Sequence, residues 1–202
     1  MSNPYTPVFR HPPLEMVERK NQTERTISEF CQEPPSNCLK LVTGIRGCGK
    51  TVFITQIANR LGEEQEWIVV NLNPQRELLT ALASKLNSNQ MLSKIFKEAE
   101  INLQAFGFGA GIKGVPPVTD IEEALTRMLR SIQNHKKRVL ITIDDATNSK
   151  DIRIFVSAFQ IFLREELPVF LLMTGLYNHI DRLRNAKGMT FLERGREHIF
   201  LR

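Results

Sequence analysis

The stretch GIRGCGKT, Gly44 to Thr51, follows directly on the apolar run LKLVT at 39–43 and leads into VFITQIANRL at 52–61. Its spacing is G-x-x-x-x-G-K-[ST], the Walker A pattern, and it sits between a predicted strand and a predicted helix, the context that pattern requires. Glycines at 44, 47 and 49 let the backbone curl so that its N–H groups face an anion. The following helix adds the positive end of its dipole. Lys50 is placed to reach the β- and γ-phosphates of a nucleotide, and Thr51 to offer a hydroxyl to Mg²⁺. The residues expected to contact nucleotide here are Gly44, Ile45, Arg46, Gly47, Cys48, Gly49, Lys50, Thr51 and Val52. Arg46 and Cys48 fill variable positions. Arg46 is either solvated or a phosphate contact, and Cys48 opens the loop to alkylation.

A second signal lies at VLITIDDA, 139–146, an apolar strand that ends in two acids. The carboxyl ends of strands are where α/β sheets bind ligands. Asp144 is expected to hold Mg²⁺, directly or through water, as a Walker B aspartate does. Asp145 is the candidate to orient or activate an attacking water. Thr174, at the end of the next strand VFLLMT, is a third candidate, with a hydroxyl that can sense the γ-phosphate or the water.

The rest of the chain gives these motifs a setting. Residues 1–13 hold four prolines and read as an extended arm. Asn21 with Glu24 reads as a capping signal for a helix that presents Ile27, Phe30 and Cys31 on one face. WIVVNL at 67–72 is a second strand, followed by helices over 74–86 and 91–99. INLQAFGFGAGIKG, 101–114, alternates apolar residues with glycines. It reads as a β-hairpin or a glycine-rich flap within an insert near 101–117. Asp120 and Glu123 form a capping box for an amphipathic helix through Ile132. RVLITI at 138–143 is the third strand, 151–166 a helix, VFLLMT at 169–174 the fourth strand and EHIFL at 197–201 the fifth. Strands separated by helices predict an α/β, three-layer fold with a mainly parallel five-stranded sheet flanked by helices.

Composition narrows the class. The chain has 202 residues, 42% hydrophobic and 24% charged, so it can bury a core. No apolar run approaches the ~20 residues of a transmembrane helix, and the N-terminus has no apolar leader. Three cysteines make no disulfide framework. Cys31 and Cys38 lack zinc-ligand spacing and read as buried small hydrophobes. These features together predict a cytoplasmic protein with no membrane partner. The net charge of +5 permits nucleic-acid binding. The densest basic run, HKKR at 135–138, reads as a solvated helix end.

The phosphate loop, one intervening βα unit, the acidic pair and the polar strand end, in this order, resemble the AAA+ and STAND branches of the P-loop ATPases. The flavour is that of origin-recognition-like and archaeal or bacterial signalling ATPases. The resemblance covers about 14–202, read as one P-loop ATPase core. VERKNQTERTISEF at 17–30 looks like the N-terminal segment that lines the adenine pocket in such proteins. Val17 and Arg19 match it, with Glu18 in place of the usual glycine. TGLYNHIDRL and GMTFLERGREHIFL look like the sensor-1 segment and the arginine-bearing stretch before strand five. The resemblance makes Arg194 or Arg196 an arginine finger acting on a neighbouring subunit, a sensor within the same one, or a surface ion pair. There are two departures: Asp145 stands where the family usually has glutamate, and the chain ends where a helical lid and an effector domain would begin.

The resemblance implies ATP or ADP with Mg²⁺ as ligands and ATP hydrolysis as the reaction. It implies a switch within a longer protein, self-association through an arginine finger, and DNA as a partner through a domain beyond residue 202. Competing readings are a module that holds ADP with little hydrolysis, a DNA-loading or transposition-helper ATPase, and a small-molecule kinase.

Overall fold

The computed structural model describes residues 20–108, 114–193 and 198–201. Four strands form the body of the sheet: β1 (Leu39–Gly44), β2 (Trp67–Leu72), β3 (Arg138–Ile143) and β4 (Val169–Gly175). A short fifth, β5 (His198–Leu201), adds to the free edge of β1. The order is β2-β3-β4-β1-β5 and every pairing is parallel. Parallel pairing needs a crossover between neighbours, and the helices supply it. The strand sequences are near-continuous apolar runs because both faces of the sheet are covered.

Alternation along each strand sorts side chains between two cores. On one face Leu41, Val139, Ile141, Leu171 and Met173 meet α3 (Leu78–Ser88), α4 (Gln90–Glu98), α5 (Ile121–Asn134), α6 (Lys150–Arg164) and α7 (Tyr177–Arg184). On the other face Val42, Leu140, Phe170 and Leu172 meet α1 (Lys20–Cys31) and α2 (Lys50–Gly62). The apolar stripe of α5 is buried at Ala124, Leu125, Met128, Leu129 and Ile132, and that of α6 at Ile152, Phe155, Phe159 and Phe162.

Three of the described helices, α4, α5 and α6, start at side-chain caps. The Asp120 carboxylate accepts from the Glu123 N–H at 2.8 Å. Glu123 does not complete the box; its carboxylate turns to Arg127 at 2.7 Å. The Ser149 hydroxyl accepts from Ile152 N–H, and Asn89 accepts from Met91 and Leu92 N–H. Asp120→Ala is expected to cost about 1 kcal/mol and lower the melting temperature by about 2–4 °C, measurable by thermal unfolding.

Several sequence expectations are corrected. Asn21 lies inside α1, which already begins at Lys20, so it is not the cap. The helix after β2 begins at Leu78, not Pro74, and runs to Ser88. The cause is an Asx turn: the Asn73 side chain accepts from Gln75 N–H at 2.9 Å and holds the backbone away from the helix. The described part of the 101–117 insert contains no strand. Ile101, Asn102 and Leu103 are all buried, and Gln104–Phe106 forms a 3-10 turn. Asn102 organises the segment: its amide donates to Val115 O at 2.7 Å and its side-chain carbonyl accepts from Gln104 N–H at 3.1 Å. Two good side-chain bonds at one buried asparagine thus fold the segment back as a packed turn. Residues 109–113 of the expected flap lie outside the described residues.

Cys31 is exposed rather than buried, whereas Cys38 is half-buried against the second core. Burial pushes the Cys38 thiol up, with Arg138 opposing, so it stays a packed thiol. Arg138 is not part of a solvated helix end. It opens β3, donates to Phe30 O at 3.2 Å and lies 5.7 Å from the Trp67 ring centre. No helix among the described residues is long and apolar enough to cross a membrane.

Candidate nucleotide site

The order β3-β4-β1 sets the carboxyl ends of three strands side by side, and the sequence motifs sit at those ends. Gly44 closes β1 and Lys50 opens α2, so the stretch between them is a loop entering a helix N-terminus. Gly47 (φ 78°) and Gly49 (φ 85°) both lie in the left-handed region, where a side chain would be strained. Gly49 O accepts from Phe53 N–H at 2.9 Å, the first bond of α2. The Lys50 ammonium folds over its own loop, donating to Gly44 O at 3.1 Å and Ile45 O at 2.8 Å, with the Cys48 sulfur 3.8 Å away. An incoming phosphate competes with these carbonyls for the ammonium. Ile45 is 73% exposed. Arg46 is exposed and forms no ion pair among the described residues. Val52 is half-buried behind the loop.

The second cluster is a chain of hydrogen bonds between elements. The Thr51 hydroxyl donates to Asp144 Oδ2 at 2.6 Å. The Thr174 hydroxyl donates to Asp144 Oδ1. The Asp145 N–H reaches Thr174 Oγ1 and Asp144 Oδ1, each at 3.1 Å. The backbone closes the turn, with Ala146 N–H donating to Thr174 O at 2.8 Å. Asp145 takes φ 55°, a left-handed conformation that aspartate tolerates. Its exposed carboxylate has no hydrogen-bond partner among the described residues. Thr174 is fully buried, and its hydroxyl is engaged on both sides by the acidic pair. In this geometry Thr174 braces Asp144 and Asp145.

Sequence reasoning missed Gly175. A Cβ there would lie 2.8 Å from Ala146 O and 2.9 Å from two Ile180 carbons. The acidic turn crosses the end of β4 so closely that only hydrogen fits. Gly175→Ala is therefore expected to destabilise the fold by about 2 kcal/mol and to displace the turn that carries both acids. Any nucleotide hydrolysis should fall by more than the lost stability explains, and wild-type turnover in a folded variant would show that this contact does not position the acids. No local pattern marks this glycine.

Also missed was a cleft beside the acids, lined by Thr51, Thr55, Asn59, Asn71, Thr142 and Asp144 among others. The Thr142 hydroxyl donates to Asn71 Oδ1 at 2.5 Å across β2 and β3. Asn71 near a strand's carboxyl end was the available signal. Val17, Arg19, Arg194 and Arg196 lie outside the described residues.

The donor set suits Mg²⁺. Thr51 and Asp144 offer two hard oxygens 2.6 Å apart, close to the ~2.9 Å between neighbouring ligands in an octahedron of radius ~2.1 Å. Among the described residues no group of three or more His, Cys, Asp or Glu could hold a metal. The fit is with a cation that shares its shell with phosphate and water.

Residues 18–171 match the family model described as an ATPase domain predominantly from Archaea. The chain belongs to this family of ATPase domains. Membership implies nucleotide binding, and the loop and acidic turn lie within or beside the matched residues. No curated protein matches the chain. Among solved structures, Cdc6p from Pyrobaculum aerophilum is similar at 18% identity with a TM-score of 0.58, over 95% of this chain and 47% of that one. The Aeropyrum pernix ORC1 protein, solved in complex with DNA, is similar at 13% identity and 0.52, over 93% and 46%. Drosophila ORC bound to DNA is similar at 14% and 0.56, over 92% and 42%. At these identities the likeness is one of fold, that of the Cdc6 and ORC P-loop ATPases. The ATPase domain described here spans less than half the length of those chains.

Proposed function

We propose that this ATPase domain hydrolyses Mg²⁺-ATP and that its nucleotide state acts as a switch. The observation that carries the reading is the hydrogen-bonded chain Thr51–Asp144–Thr174–Asp145 at the mouth of the glycine loop. It joins the helix that follows the loop to the ends of two strands. A change at the phosphate end is thereby felt at β3 and β4 together.

In this reading the loop N–H groups and the α2 N-terminus bind phosphate oxygens, and Lys50 neutralises charge on the β- and γ-phosphates. Thr51 and Asp144 would hold Mg²⁺, which when bound offsets phosphate charge as a Lewis acid. Asp145 orients the attacking water and accepts its proton through its unengaged carboxylate. Thr174 keeps Asp144 and Asp145 in register and reports the state of the site. Val17 and Arg19 would border the adenine. Arg194 or Arg196 would supply further positive charge, in the same copy or to a neighbour.

Titration calorimetry with ATP and ADP, with and without Mg²⁺, alongside phosphate release, tests the reading. Mg²⁺-dependent ATP binding with turnover is the expected result. No nucleotide binding would overturn it. Binding without turnover would favour a module that holds ADP, a reading supported by Asp145, one methylene shorter than glutamate. A DNA-associated role is supported by the net charge of +5 and by the two ORC structures solved with DNA. Its mark would be DNA binding that weakens steeply with salt.

A further inference from the structure

Helix α1 is seated unlike the other long helices. Of its twelve residues only Thr23, Thr26 and Phe30 are buried, so its apolar anchor is Phe30, with Ile27 partly buried against the same core. By contrast α2, on the same face, buries Phe53, Ile54, Ile57, Ala58 and Leu61. The Thr23 hydroxyl is buried without a hydrogen-bond partner among the described residues, which weakens the seat further. Charge adds to this small apolar seat. Glu24 pairs with Arg60 of α2, Glu29 with Lys40 of β1, and Glu33, just beyond the helix, with Arg138 of β3. Three acids on one short segment thus meet three bases on three different elements.

The pairs differ in depth. Arg60 and Glu24 are half exposed, and Glu33 is largely exposed. Salt screens such pairs readily. Lys40 is 1% exposed, near the start of β1, and its pair with Glu29 is screened much less. Breaking that pair from the Glu29 side removes an acid that faces a buried ammonium, which is unfavourable.

We propose that α1 is an electrostatically held clip on the P-loop helix, able to open without unfolding the sheet, and that its closure holds Lys50 and Thr51 in place. This rests on the nucleotide site proposed above. The coupling is physical contact: Phe30 packs in the same core as Phe53, Ile54, Ile57 and Leu61, and Arg60 ties α1 to the last turn of α2. Opening removes packing and charge from one flank of the helix whose N-terminus carries Lys50 and Thr51. Sub-global openings of this sort take the segments with the fewest buried apolar contacts first.

The chain carries its own reporter. Trp67 is its only tryptophan. It is 5% exposed, packs edge-on against Phe170 at 4.8 Å, and Phe170 in turn meets Phe30 at 5.4 Å. Opening of α1 uncovers this aromatic cluster.

The test is hydrogen exchange of the intact chain, read by segment at low and high NaCl, with acrylamide quenching of Trp67 in parallel. The α1 amides are expected to exchange about tenfold faster at 1 M NaCl while β3 and β4 amides do not change. Glu29→Gln should increase both α1 exchange and Trp67 quenching more than salt does, with the circular dichroism of the sheet and other helices retained. At constant low salt, Glu24→Gln with Glu33→Gln should weaken ATP binding by about threefold to tenfold. Exchange of α1 at the same rate as β3 and β4 at every salt concentration would overturn the clip. So would a folded Glu29→Gln variant with unchanged α1 exchange and Trp67 quenching. If Glu29→Gln does not fold, the salt series on the unmodified chain decides by itself. Failure of the nucleotide site would appear as no ATP binding under any condition. Failure of the clip alone would leave ATP binding intact with α1 insensitive to salt.

Discussion

Lys50→Ala is expected to weaken ATP binding by about a hundredfold, equivalent to about 2.7 kcal/mol, the scale of a charge-assisted hydrogen bond to phosphate. The loss should appear with and without Mg²⁺, because the ammonium acts on the phosphates themselves. The fold should survive. The Lys50 ammonium bonds only within its own loop, to Gly44 O and Ile45 O, among the described residues. It links only the end of β1 to the start of α2, which the loop already joins covalently, so the melting temperature should stay within a few degrees of wild type. Calorimetric titration beside thermal unfolding separates binding from folding. An unchanged ATP affinity would remove Lys50, and with it the loop, from the proposed site.

Asp144→Asn is the second large effect, with a different signature. The substitution keeps the size of the side chain and one oxygen acceptor but loses the charge and half of the acceptor capacity. Thr51 and Thr174 both donate to this carboxylate, so one hydroxyl loses a good partner. ATP affinity without Mg²⁺ should be unchanged or slightly raised, since a negative charge near the phosphates is gone. The increment that Mg²⁺ adds should vanish, and phosphate release should fall by roughly a hundred- to a thousandfold, about 3–4 kcal/mol of transition-state stabilisation. A Mg²⁺ titration that matches wild type would show that Asp144 is not the metal ligand. Lys50→Ala and Asp144→Asn together distinguish phosphate binding from metal binding, which no single variant does.

Much of the fold was legible in the sequence because its signals are local. Strands β2 and β3 fall where WIVVNL and RVLITI place them, since buried parallel strands are near-continuous apolar runs. The amphipathic stripes of α5 and α6 are buried as their spacing requires. Departures occur where a single polar side chain redirects the backbone. Asn73 delays the helix after β2, and Asn102 folds the insert into a packed turn in place of a hairpin. Period-two alternation at Ile101 and Leu103 suggested a strand, but alternation does not reveal that the intervening Asn102 is buried and bonded on both sides.

The sequence alone determined that a glycine loop joins a strand to a helix and that two acids end a later strand, because glycine conformation, helix dipole and strand hydrophobicity are properties of a few consecutive residues. Only the tertiary structure decided that Thr174 braces both acids, that Gly175 leaves no room for a side chain, and that Lys40 is buried in the sheet against Glu29. Each of these depends on which strands and helices become neighbours. The order β2-β3-β4-β1-β5 is set by crossovers and by packing between residues distant in the chain, and no local periodicity encodes it.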